Sequence, residues 1–152
     1  MPDQLKTPKE NLFGLLTEIG IINQLMTTEF NHLMPDGLHI SQFGVINHLC
    51  RVADGWTPLR LANAFQVTKA TMTNTLARLS ARGLVEVRNN PADGRSKLVF
   101  ITSDGRVFQK RAIASLEPFL MKMGKELDLE ALIKILPQLE KLREYFDNNR
   151  TA

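Results

Sequence analysis

The stretch Val67 to Gly83 reads VTKATMTNTLARLSARG, and none of its polar side chains is a carboxylate. Thr68, Lys69, Thr71, Thr73, Asn74 and Arg78 supply hydroxyl, ammonium, amide and guanidinium groups instead. A second cluster follows in Asn89-Asn90-Pro91-Ala92-Asp93-Gly94-Arg95-Ser96, which is full of turn formers and sets Arg95, with Lys97 behind it, after a tight Asp93-Gly94 turn. Such a set suits recognition of a polyanion that also carries readable edges. Thr71 and Thr73 can bond base edges or touch a thymine methyl, and Asn74 can pair bidentately with adenine. Lys69 and Arg78 suit phosphate, and an arginine at a hairpin tip can enter a narrow minor groove, with Lys97 beside it. Blander roles exist for each. Thr73 and Asn74 can simply be solvated, Arg78 can pair within its helix or with the hairpin, and Asp93 can hold Arg95.

These groups need a scaffold, and the spacing provides one. Met72, Leu76 and Leu79 recur at helical intervals, so one face of this segment packs inward and the polar set faces out. Thr68 can cap the helix N-terminus, and Gly83 suits a left-handed stop. The preceding TPLRLANAF offers Thr57 as a cap and Pro58 in the first turn, where its missing N–H costs nothing. Two short helices across Gln66-Val67-Thr68 make a helix-turn-helix. Leu84 to Arg88 and Lys97 to Ile101 read as strands around the turn-rich segment. The expectation for residues 41–102 is therefore a winged helix-turn-helix.

The chain has 152 residues, 43% hydrophobic and 23% charged, enough to bury a core. No run approaches the apolar length that spans a bilayer, and MPDQLKTPKE lacks the apolar centre of a signal peptide. With a single cysteine no intrachain disulfide can form, which points to a reducing cytoplasm. Net charge is only +3, but residues 51 to 111 hold eleven Lys and Arg against four Asp and Glu, while the remainder is net acidic. The positive excess falls on the segment picked out by its hydrogen-bonding groups, as a nucleic-acid partner requires.

The flanks read as helices. Residues 1 to 8 suggest a frayed arm. From Lys9 to about Leu33, Leu12, Leu15, Leu16, Ile19, Ile22, Leu25, Met26 and Phe30 fill one broad face. Met34-Pro35-Asp36-Gly37 is a turn, and a second helix opens near Ser41 with Phe43, Val45, Ile46, Leu49 and Cys50 inward. After the hairpin, Thr102-Ser103-Asp104-Gly105 opens another long helix, in which Pro118 should bend or break the pattern. Asp128 can cap a last helix, with a kink expected at Pro137. Apolar helices at both ends suggest a two-fold homodimer, although either could instead complete a monomer core. The expected architecture is mainly α with a small β-hairpin wing, as one domain over residues 1–152. Residues 1–34 and 104–152 would supply the dimerisation helices.

The segment LANAFQVTKATMTNTLARLSARGLVEVRNNPADGRSKLVFITSDG resembles the MarR family of bacterial and archaeal transcriptional regulators. The likeness lies in the helix-turn-helix, the Arg82-Gly83-Leu84-Val85-Glu86-Val87 entry to the first wing strand, the Asp93 and Arg95 wing, and the Ile101-Thr102 to Gly105 exit. The resemblance implies a triangular homodimer on a pseudopalindromic operator, with half-sites roughly 34–36 Å apart. It implies repression of transcription, with release by a small, often phenolic, ligand or by an oxidant. It places Thr68, Lys69, Thr71, Thr73 and Asn74 on the recognition helix and Arg95 on the wing arginine. The family wing usually reads Asp-Pro-x-Asp-Arg-Arg, so Asn90 and Gly94 here mean one acid and one base fewer. Where the family often carries arginine, this chain has Asn74, which shifts the base preference.

An effector pocket, as the family implies, would lie near His32, His39, Ser41, Gln42 and His48. His39 or Gln42 could bond an aromatic carboxylate between the first two helices, or these residues could cap the second helix or face solvent. Cys50, spaced with apolar neighbours, reads as an inert buried thiol. The three histidines lack the tight spacing of a zinc site. No cofactor-binding loop, nucleophile elbow or metal motif appears, so no catalytic residue is assigned. The remaining alternative is a winged-helix protein–protein interaction module, which need not load its recognition helix and wing with cations.

Overall fold

A computed structural model describes residues 7–52 and 54–150. Six α-helices and one hairpin follow in the order α1 (Pro8–Leu33), α2 (Ile40–Arg51), α3 (Pro58–Ala64), α4 (Lys69–Ala81), β1 (Val85–Asn89), β2 (Lys97–Ile101), α5 (Ser103–Glu126) and α6 (Leu129–Asn148). The fold is mainly α with a two-stranded antiparallel wing, as the sequence led us to expect. The chain forms two compact units, one up to Ser115 and one from Leu116, with α5 running through the boundary.

Each helix start has a local cause. Thr7 caps α1 through a reciprocal box with Glu10, so the expected fraying at Thr7 and Pro8 is replaced by an ordered first turn. The rest of that arm, residues 1 to 6, lies outside the described residues. α2 opens at Ile40, near Ser41 as expected, with His39 as its cap and the Gln42 side chain closing the box. Thr57 and Thr68 cap α3 and α4, each accepting the N–H three residues on. Thr102 does the same for Gly105 at the start of α5.

The sequence allowed a bend or a break at Pro118 and a kink at Pro137, and no break occurs: α5 passes through Pro118 and α6 through Pro137. A proline leaves the carbonyl four residues back without its helical donor. Ala114 and Ile133, the residues that carry those carbonyls, are exposed in the single chain.

The core of the first unit gathers α2 (Phe43, Val45, Ile46, Leu49), α3 (Leu61, Ala62), α4 (Met72, Leu76, Leu79) and the hairpin base (Val85, Val99). Burying each such side chain contributes about 1.5–3 kcal/mol. The strands pair from Val85 opposite Ile101 to Asn89 opposite Lys97. Trp56 adds a one-residue bridge to Val99, fixing the entry to α3 against the wing. Asp54 ties the same corner by accepting the Ile101 N–H at 2.9 Å. Gly105 has to be glycine, since a Cβ there would lie 2.2 Å from the Leu84 carbonyl oxygen. α5 can therefore leave directly from the root of the wing. α1 buries none of its residues, and Phe13 and Leu25 are 73% and 67% exposed.

Candidate nucleic-acid interface

At ~100° per residue, α4 presents three exposed or buried sectors. Met72, Leu76 and Leu79 point into the core. Lys69, Thr73, Ala77 and Ser80 form the flank facing the wing. Arg78, Ala81 and Arg82 form the opposite flank, beside the start of α2. Asn74, one turn before Arg78, lies on that same flank, exposed and bordering neither cavity.

A cleft of about 700 Å³ separates α4 from the wing. Thr57, Pro58 and Leu59 of α3 close one end, and Asn90, Asp93, Arg95, Ser96 and Lys97 form its far wall. The structure thus brings Lys69, Thr73, Arg95 and Lys97 from two distant stretches of sequence onto one cleft. The wing tip is an Asx turn: the Asp93 carboxylate accepts the Arg95 backbone N–H at 3.0 Å. Asn90 braces the other side through Ser96 and the Ala92 N–H. Among the described residues, the Arg95 guanidinium has no ion pair, with Asp93 or any other acid.

The other cations are less free. Lys97 Nζ donates to Asn89 Oδ1 on the facing strand. Arg88 pairs with Glu86 at 2.9 Å and stacks over Phe100, and that pairing holds the Glu86 carboxyl below its ordinary range. Thr71 is drawn into the cap, its hydroxyl accepting from Thr68 at 2.9 Å. Thr68 and Thr71 are therefore structural first, and any base contact competes with the cap. Arg78 has no ion pair among the described residues and lines a second cavity, of about 510 Å³, with Gly37, His39, Gln42, Ala81 and Arg82.

The two residues considered for an effector are occupied with α2. His39 ring nitrogens lie 2.7 Å from Ser41 Oγ and 2.9 Å from Asn31 Nδ2. Gln42 is buried, and its carbonyl oxygen accepts the His39 N–H. Sequence reasoning missed Arg82, which follows Arg78 by one turn. That spacing was the available signal, but only the fold shows which cavity it borders. Nor did the sequence place Arg60 over the Trp56 ring, 3.8 Å from its centroid, or His48 edge-on to Trp56 and Phe65. Burial, with Arg60 nearby, pushes the His48 pKa down, and its Nε2 is buried without a hydrogen-bond partner. Partial burial likewise pushes the Cys50 thiol up, although Cys50 is half-buried rather than buried as the sequence suggested. No group of three or more metal-ligating side chains occurs among the described residues, and none of their helices is long and apolar enough to cross a membrane.

A capped helix-turn-helix whose second helix faces a cationic hairpin defines a winged helix-turn-helix protein. Residues 36–96 match the MarR family model. The regulator HosA of Escherichia coli O111:H- is 36% identical over 92 residues, covering 59% of this chain and 65% of HosA. MarR of Salmonella typhimurium is 36% identical over 75 residues, 49% of this chain and 51% of that protein. The chain thus spans from half to just under two thirds of these relatives. A cysteine-to-serine mutant of Escherichia coli MarR, solved with operator DNA, superposes with a TM-score of 0.72 at 25% identity, over 90% of this chain and 99% of that one. BldR of Sulfolobus solfataricus, at 23% identity and a TM-score of 0.76, shares the fold over 90% of this chain and 99% of its own. Over residues 36–96 the chain is thus similar to the MarR family, and its fold is that of solved MarR-type regulators.

Proposed function

We propose that this chain is a sequence-specific DNA-binding transcriptional regulator of the repressor class, acting as a homodimer on a pseudopalindromic operator. The observation that carries the reading is the cleft in which Lys69 and Thr73 of α4 face Arg95 and Lys97 of the wing. α4 would enter the major groove with Asn74 and Thr73 towards the bases, while Arg95 reaches the adjacent minor groove. That a MarR structure on which the chain superposes was solved with operator DNA supports a DNA-binding reading. Two heads are favoured by the exposed apolar faces of α1 (Leu12, Phe13, Leu15, Ile22, Leu25) and of α6 (Leu132, Ile133, Leu136, Phe146), each of which needs a cover. Acting on chromosomal DNA would place the protein in the cytoplasm.

The proposal stops short of an effector, because His39 and Gln42 are committed to capping α2. The test is selection of bound fragments from mixed genomic DNA at two salt concentrations, with sedimentation to count subunits. A regulator should retain palindromic fragments as a dimer and weaken steeply as salt rises. A winged-helix interaction module would retain none.

A further inference from the structure

His48 stands where both ends of α3 come back onto α2, and it takes no part in the cleft between α4 and the wing. Trp56 precedes α3 and Phe65 ends it, and the His48 ring is edge-on to both, with its centroid 4.5 and 5.6 Å from theirs. Gly44, one turn before His48, lets the Phe65 ring close on α2, since a Cβ there would lie 3.3 Å from it. Trp56 is bridged in turn to Val99 of the wing. One polar ring thus fills the slot in which α2, α3 and the root of the wing meet. Its Nε2 is buried without a hydrogen-bond partner, and among the described residues no carboxylate pairs with it. Of the charged groups on the surrounding elements, Arg60 of α3 bears on the ring, stacked over Trp56 at 3.8 Å. Asp54 and Arg106 bear on Cys50, further along the chain from His48.

A neutral imidazole fits this slot and an imidazolium does not. In the charged ring both nitrogens carry a proton, so Nε2 would present an N–H with no acceptor, beside a guanidinium. A charge held that way is costly, and the ring escapes the cost by turning out to water. Trp56 and Phe65 then lose the contact that seats them. α3 and α4 share one core through Leu61, Ala62, Met72 and Leu76, so a displaced α3 carries α4 with it. We propose that His48 is a proton-operated release: once protonated it leaves the slot between Trp56 and Phe65, and the helix-turn-helix lets go of DNA. This rests on the DNA-binding reading above. The sign sets the device apart, because acidification otherwise adds positive charge to the chain and strengthens its hold on a polyanion.

The experiment uses the full chain, a duplex recovered by selection from genomic DNA, and fixed ionic strength. Affinity should fall once the pH drops below about 6.5, by up to ~10-fold per pH unit for each head. His48→Gln, which keeps a polar side chain but takes up no proton, should hold its affinity through that range. Arg60 is exposed, so Arg60→Gln should fold as the unmodified chain does, and it should shrink the fall because the slot then tolerates the proton better. Trp56 is the single tryptophan of the chain, so its emission reports the slot itself. That emission should shift over the same range in the unmodified chain and stay constant in His48→Gln. Circular dichroism should show the helices intact at the acid end, and their loss together with the DNA would overturn the device. Affinity that stays level or rises as pH falls, in a chain that binds duplex at neutral pH, would overturn it and leave the DNA-binding reading standing. A fall that His48→Gln shares in full would do the same. If the unmodified chain retains no duplex at neutral pH, both fall together.

Discussion

Arg95→Ala isolates one contact because the turn beneath it does not depend on the side chain. The Asp93 carboxylate holds the Arg95 backbone N–H at 3.0 Å, and alanine keeps that N–H. The guanidinium is exposed and, among the described residues, has no ion pair to lose. Surface substitutions of this kind shift stability by no more than about 0.5 kcal/mol, so thermal unfolding should be unchanged. Binding should not be. A hydrogen bond to a charged group is worth about 1.5–3 kcal/mol, which corresponds to roughly 10- to 150-fold in affinity per head. One lost cation should also remove about 0.9 from the salt slope for each head, so about twice that for a dimer. Lys97→Ala makes the internal control. Its ammonium keeps two donors while bonded to Asn89, but that bond ties it to the facing strand, so its loss should cost less than that of Arg95. Fluorescence anisotropy with a selected duplex across a salt series measures both quantities. Arg95→Ala binding as tightly as the unmodified chain, or Lys97→Ala proving the costlier change, would refute the assignment of the wing contact to Arg95.

Three further outcomes follow from the same geometry. Asn74→Ala should relax base preference at one position of each half-site, at about 1–3 kcal/mol if the contact is bidentate, which repeat fragment selection will show. Thr68→Ala removes the acceptor for the Thr71 N–H at 3.1 Å and should lower unfolding stability by about 1 kcal/mol in urea titration. His48 has its pKa held below the ordinary value by burial and by Arg60, so the unfolded chain takes up a proton that the folded chain resists. Stability should therefore be complete above the unfolded pKa of about 6.5 and fall as pH drops below it, by at most ~1.4 kcal/mol per pH unit. Urea midpoints measured from about pH 7 to 5 should decline less steeply for His48→Gln.

Much of this molecule is local, and the local parts were legible. Thr57, Thr68 and Asp128 are caps because a short oxygen-bearing side chain in an extended residue meets the N–H three positions on, and the sequence carries that spacing openly. Gly83 stops α4 with φ +71, a left-handed conformation that glycine adopts at no cost. The buried stripe of Met72, Leu76 and Leu79 follows from helical periodicity alone. Proline was expected to bend or break α5 and to kink α6, and of these outcomes the break does not occur.

The flanks of α4 show why a site is harder to read than a helix. Periodicity states that Thr73 and Arg78 point in different directions, but it does not state what stands across from each. That depends on pairs far apart in the chain: Arg95 opposite Lys69 on one side, His39 opposite Arg78 on the other. The hairpin itself was anticipated, but not that it would bring Arg95 and Lys69 onto one cleft. Nor was the second pair anticipated, because α2 reaches the α4 flank only through the turn at Pro35–Gly37, where Asp36 takes a positive φ and ties both Arg82 and Arg111. That one residue orients a recognition-helix arginine by its carbonyl and an α5 arginine by its carboxylate. A turn distant in sequence thereby fixes one flank of α4.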